Sequence, residues 1–103
     1  MRFFMKVSIP VEAGNEAPKK GSLGKTVASI LAQQKPEAAY FVEMNGQRTG
    51  LIFLEMKDAS QIPSLAEPWF LAFNASVEIR PAMIPDDLKK ATKDIEKAVK
   101  KYS

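Results

Sequence analysis

The chain has 103 residues, of which 46% are hydrophobic and 26% charged, with a formal net charge of +3. These values fit one globular domain with a modest core, and no Gly/Ser-rich or Pro-rich linker divides the chain. Cysteine and histidine are both absent, which excludes disulfides, thiolate metal sites, cysteine nucleophiles and imidazole acid–base chemistry, so neither a metal nor a cofactor is expected.

In RFFMKVSI, residues 2–9, Phe3, Met5, Val7 and Ile9 alternate with Phe4, Lys6 and Ser8. This is the two-residue period of a strand, and Pro10 ends it. A helix is predicted to start between Asn15 and Ser22, with Asn15 as its cap and Pro18 in its first turn. Leu23, Val27, Ile30 and Leu31 carry its rhythm, and Pro36 stops it near Gln34 or Lys35. AAYFVEM, then Asn45-Gly46, then QRTGLIFLEM predict an antiparallel hairpin, because Asn-Gly favours the positive φ of a tight turn. Asp58 followed by Gln61 has the spacing of a capping box, and Ile62, Leu65, Ala66, Trp69 and Phe73 form a helical stripe after it. Pro63 and Pro68 predict that this helix is short or kinked, with a loose middle. A fourth strand is predicted over residues 75–82. Pro85-Asp86-Asp87 then opens a last helix, striped by Leu88, Ala91, Ile95, Ala98 or Val99, and Tyr102.

The predicted order is β-α-β-β-α-β with an extra C-terminal helix, an α+β, ferredoxin-like sandwich on an antiparallel four-stranded sheet. Two helices cover one face of such a sheet. The other face receives Phe4, Lys6, Ser8, Glu78 and Arg80, together with either Leu51, Phe53 and Glu55 or Ile52, Leu54 and Met56. Either phase leaves apolar area uncovered, so a homodimer is expected, with sheets facing each other or sharing an edge. The last helix then packs on the partner or caps its own sheet.

The segments FFMKVSIP, EAAYFVEMNGQRTGLIFLEM, DASQIPSLAEPWFLAF, NASVEIRPAM and the PDDL helix start together resemble the dimeric α+β barrel superfamily, especially its small stand-alone members. The resemblance covers nearly the whole chain and is one of architecture. It implies a homodimer with a pocket between the barrel wall and its helices or between subunits. Some relatives are small-molecule monooxygenases, isomerases, or haem-degrading or dye-decolourising enzymes. Their catalytic histidines have no counterpart here, which counts against the histidine-dependent activities.

GSLGKT, residues 21–26, ends like a phosphate-binding loop, but that loop needs glycine, four residues, then Gly-Lys-Ser/Thr. Lys19 stands where the first glycine belongs, and Ile9 ends the preceding strand too early. The glycines are therefore read as a loose helix start or a place of close packing, with Lys25 solvated. A looser anion site at the helix start would use Lys19, Lys20 or Lys25. Lys89, Lys90, Lys93, Lys97, Lys100 and Lys101 line the last helix and are read as its solvated face, not as a nucleic-acid patch. RTGLIFLE offers Arg48 and Phe53 without the paired aromatics of an RNA-recognition strand, so no nucleic-acid partner is expected. Asn74-Ala75-Ser76 matches the glycosylation pattern and is read as a turn before a strand. Apolar runs such as Leu51 to Leu54 are too short to span a membrane, and no signal-length segment follows MRFFMK; no membrane partner and a cytoplasmic location are expected.

The charged residues that invite chemistry are Lys6, Glu43, Glu55, Glu78 and Arg80. A carboxylate enclosed by apolar walls, Glu55 or Glu78, would act as acid or base, while Arg80 holds an anionic group. Tyr40, Phe53 and Phe70, with Lys6, Glu43 and Arg80, are the candidate ligand contacts. Tyr40, Phe41, Trp69, Phe70 and Phe73 are the aromatics available to wall a pocket, with Trp69 and Phe73 read first as core. Two functions follow. One is a non-catalytic small-ligand-binding or homodimeric assembly module; the other is a cofactor-independent isomerase-like or monooxygenase-like enzyme acting on a small, partly apolar, anionic molecule. An enclosed cavity with a carboxylate directed inward favours the enzyme, and acids paired at the rim favour assembly.

Overall fold

Alternating side chains of β1 (Arg2–Ile9) set up the whole sheet. Met5, Val7 and Ile9 are buried, while Lys6 and Ser8 are only partly so. In the computed structural model, residues 1–103 are described except for the side chains of residues 17 and 18. The expected role of Pro18 therefore lies outside the described residues. After β1 come α1 (Val11–Lys19), α2 (Leu23–Gln34), β2 (Ala38–Met44), β3 (Gln47–Glu55), a 3-10 turn (Ala59–Gln61), α3 (Ile62–Phe73), β4 (Ser76–Pro81), α4 (Pro85–Lys90) and α5 (Thr92–Tyr102). The four strands form one antiparallel sheet in the order β2-β3-β1-β4.

Register fixes the two faces. Met5 lies between Ile52 and Ile79, and Val7 between Gly50 and Val77. These residues meet Ile30, Trp69 and Phe73 from α2 and α3 in one core. The hairpin phase left open by the sequence is thereby resolved: Ile52 and Leu54 face the helices, and Leu51, Phe53 and Glu55 face away. Asn45 and Gly46 have φ of 54° and 77°, the left-handed pair that a two-residue hairpin turn requires. Trp69 is fully buried and stacks on Phe73 with centroids 6.1 Å apart. Its indole N–H points to the Gln34 side-chain oxygen at 3.4 Å, and the Gln34 amide donates to the Leu65 carbonyl at 2.8 Å.

Three predicted helices differ from the observed ones. The segment expected to be loop before Asn15 is already helical: α1 starts directly after Pro10, whose carbonyl accepts from the Gly14 amide at 2.8 Å. Asn15 is thus inside α1 and caps nothing. Gly21, with φ of 70°, turns the chain from α1 into α2. The α3 helix runs unbroken through Pro68, because Pro63 falls at its first positions, where no amide bond is lost, and burial of Ala66, Trp69 and Phe73 outweighs one missing bond at Pro68. The capping box is formed: Asp58 accepts from the Ser60 amide at 2.9 Å, and the Gln61 side chain accepts from the Asp58 amide at 3.1 Å. Finally, the last helix divides at Ala91 into α4 and α5.

That last pair does not cap its own sheet. α5 follows α4 across Ala91, whose amide bonds back to Asp87 and whose carbonyl accepts from Ile95; none of its residues is buried, and the molecule extends 59 × 28 × 20 Å with a radius of gyration of 17.3 Å. A folded chain of this length ordinarily has about 13 Å. The C-terminal helices therefore project as an arm.

Candidate functional site

The open face of the sheet gathers most of the residues singled out from the sequence. Lys6 and Glu78 are cross-strand partners, and Phe4 pairs with Arg80. Glu78 lies 3.6 Å from the Lys6 ammonium and 3.0 Å from the Arg80 guanidinium. Phe4 and Phe53 meet beside them, with ring centroids 5.2 Å apart. Tyr40 stands opposite Leu51 on edge strand β2 and is 60% exposed. Glu55 pairs with the amino group of Met1 at the strand end. The acids are therefore at the rim: the Glu78 and Glu55 side chains are 48% and 55% exposed. Neither sits in an enclosed, apolar place.

Phe70 and Glu43 are elsewhere. Phe70 is on the outward side of α3 and is 38% exposed. Glu43 is on the helix side of β2, opposite Arg48, and accepts from the Gly46 amide at 2.7 Å. With Phe41, named among the aromatics available to wall a pocket, it borders a cavity on the helix side of the sheet.

This cavity, about 730 Å³, is a groove between the start of the helical layer and the β2–β3 hairpin. Ile9 and Val11 form its floor at the junction of β1 and α1; Leu23, Gly24 and Val27 of α2 form one wall; Phe41, Arg48 and Thr49 form the other. Phe41 closes over Gly50, where an added Cβ would lie 3.1 Å from its ring. The Arg48 guanidinium reaches across to α1 and donates to the Asn15 side-chain oxygen at 3.0 Å. Gly14 makes room for it: a Cβ there would stand 2.8 Å from Arg48 Nη1.

GSLGKT also lies here. Helix α1 precedes it instead of a strand, and Gly24, Lys25 and Thr26 belong to α2, with the Thr26 amide bonded to the Ser22 carbonyl at 2.9 Å. The segment is thus no nucleotide-binding loop; it contributes Leu23 and the bare backbone of Gly24 to the groove wall. Lys25 is exposed, and Lys20 pairs with Glu16 at 3.7 Å. Arg48, Asn15 and Gly14 were not singled out by sequence reasoning as site residues. The hairpin register, which puts Arg48 in phase with Ile9 and Glu43, is the signal that locates them.

Among the described residues no cluster of three or more acidic side chains is placed to hold a metal ion, and no helix is long and apolar enough to cross a membrane. The Glu37 hydrogen bond and charge raise Arg2, and the Ser60 amide lowers the Asp58 carboxyl.

Fold and register define a small α+β domain with an antiparallel four-stranded sheet, helices on one face and the other face open. No protein family and no curated protein matches the sequence. Among solved structures, the chain is similar to a formyltetrahydrofolate deformylase from Pseudomonas putida KT2440, with a TM-score of 0.50 and 16% identity over 80% of this chain. The match spans 29% of that enzyme's length. The likeness is one of fold.

Proposed function

We propose that the protein is a non-catalytic homodimeric assembly module of ferredoxin-like fold, whose copies join through their open sheet faces in the manner of a dimeric α+β barrel. The observation that carries this reading is a pair of uncovered apolar surfaces in one chain. Phe4, Leu51 and Phe53 line the middle of the open face, with Tyr40 and Val42 exposed at its edge. Ile95, Val99 and Tyr102 form a second stripe along α5, and all three are more than half exposed. A two-fold pairing lets the α5 arm of each copy lie over the sheet of the other, so that both surfaces are covered at once.

The charged residues support assembly over catalysis. Glu78 is held between Lys6 and Arg80, and Glu55 is held by the Met1 amino group, so each acid frames the apolar patch as a rim ion pair. Sedimentation equilibrium over a concentration series tests the proposal, comparing the parent with Phe53→Glu. Phe53 is half-buried on the open side, so the variant keeps the core while placing a charge in the interface. A dimeric parent and a folded monomeric variant are expected. A monomeric parent at every concentration overturns the reading.

A further inference from the structure

We propose that the groove between α1–α2 and the β2–β3 hairpin binds a small carboxylate with an apolar body, the carboxylate pairing with Arg48. The site lies within one chain and on the other side of the sheet from the proposed dimer face, so it stands or falls separately from the assembly reading.

Size and lining give the first argument. The cavity of about 730 Å³ is within the range of roughly 300–1,000 Å³ common to small-molecule sites. Ile9, Val11, Leu23, Val27 and Phe41 supply apolar walls. Val11 and Phe41 are 51% and 50% exposed as the groove stands, so an apolar occupant would remove surface from water on both sides.

The second argument is the state of Arg48. The sequence has three arginines. Arg2 is held by Glu37 at 2.8 Å and Arg80 by Glu78 at 3.0 Å. Among the described residues, Arg48 has no carboxylate within ion-pair distance; its partner is the neutral side chain of Asn15. Glu43 is directly opposite on β2, yet one of its oxygens is engaged by the Gly46 amide in the hairpin turn. A guanidinium presents five N–H donors in a planar fork that matches a carboxylate. Donation to Asn15 orients that fork and leaves donors over. Gly14, by lacking a Cβ, keeps clear the space that the guanidinium occupies. The arginine is therefore held at the end of an apolar groove with its charge unmatched.

The third argument is Gly24, where an added Cβ would meet no atom within 4 Å. Gly24 is exposed on the groove wall, so a larger side chain is accommodated there without displacing an atom of the protein.

The test uses octanoate and 3-phenylpropanoate as probes, each beside the alcohol of the same carbon skeleton, titrated into the isotopically labelled protein and followed by amide chemical shifts. Perturbations at Val11, Leu23, Gly24, Phe41 and Arg48 are expected, with each acid binding about tenfold or more tightly than its alcohol. Arg48→Gln is expected to abolish the preference for the acid while leaving weak binding of the alcohol. Gly24→Leu, which keeps the charge and adds bulk on the groove wall, is expected to weaken both. Glu43→Gln, which keeps an acceptor for the Gly46 amide, is expected to tighten binding of the acids. The proposal is overturned if neither acid binds, if acids and alcohols bind equally, or if the shifts map to Phe4, Leu51 and Phe53. A parent that is monomeric by sedimentation yet shows the expected shifts refutes the assembly reading alone, and a dimer without them refutes the groove alone.

Discussion

Removing residues 92–103 takes away α5 and isolates what the arm does. In the single chain this helix follows α4 and buries none of its residues, so the truncated protein should unfold within about 0.5 kcal/mol of the parent when both are monomeric. Its effect on association should be much larger. Ile95 and Val99 are 53% and 55% exposed and Tyr102 is 79% exposed, and full burial of a large apolar side chain is worth about 1.5–3 kcal/mol. Covering the exposed part of the three amounts to about 3 kcal/mol per arm, and ordering the side chains and imperfect fit take back about half. Two arms then contribute about 3 kcal/mol to the dimer, a loss of roughly a hundredfold in dimer affinity on truncation. Sedimentation equilibrium reads the dissociation constant and urea denaturation reads the stability. A truncated chain that dimerises as tightly as the parent refutes the arm exchange; one that is monomeric but several kcal/mol less stable means the arm supports its own fold.

Gly14→Ala should leave stability within about 0.5 kcal/mol, because the helix gains about as much from alanine as it loses when the guanidinium is displaced from Asn15; the added Cβ would lie 2.8 Å from Arg48 Nη1, so acid binding in the groove should weaken all the same. Trp69→Ala should cost about 3–5 kcal/mol in urea denaturation followed by circular dichroism, since the fully buried indole joins α3 to the sheet core; a loss below about 1 kcal/mol would mean the core is not organised around it. Asp58 has its carboxyl lowered by the Ser60 amide, so its stabilising contribution is present above the ordinary carboxylate range and is lost as pH falls through the lowered value. Asp58→Asn, which keeps the cap's acceptor without its charge, should therefore flatten the fall in Tm below about pH 4, and an unchanged acid limb would count against the cap.

Much of the fold was legible because strand period, turn chemistry and core pattern agree. Phe3 through Ile9 alternate as expected, Asn45-Gly46 takes the positive φ pair, and Trp69 and Phe73 reach the core. Lys6, Glu78 and Arg80 meet on one face because antiparallel neighbours keep a two-residue phase across β1 and β4. The helices were less legible where local rules compete with packing. Gly14 and Asn15 weaken a helical reading of residues 11–19, but Gly14 is buried where α1 comes close to Arg48 and Ile9, and only a residue without a Cβ permits that approach. Pro68 should break α3 by its own chemistry, and the apolar stripe around it holds the helix together. The groove was illegible for a different reason. Its parts come from β1, α1, α2 and the hairpin, so no stretch of sequence contains it.

The two surfaces of the sheet pose opposite physical problems, and the charges show how each is met. On the open face every basic strand residue has an acid: Lys6 and Arg80 share Glu78, and Arg2 takes Glu37. Exposed pairs of this kind add only about 0–1 kcal/mol each, so their use here is to match charge around an apolar centre, which is what a face buried against a second copy demands. On the helix side Arg48 is left with a neutral partner although Glu43 lies across the strand pair, and the absence of a Cβ at Gly14 gives its guanidinium room. Alanine at Gly14, inside α1, would favour that helix by about 0.5–1 kcal/mol if the added Cβ did not meet Arg48. The helix propensity forgone at Gly14 is thus linked to the seat of one guanidinium, which borders the groove with a neutral partner. The pairing on one side and the vacancy on the other are why assembly is assigned to the open face and ligand binding to the groove.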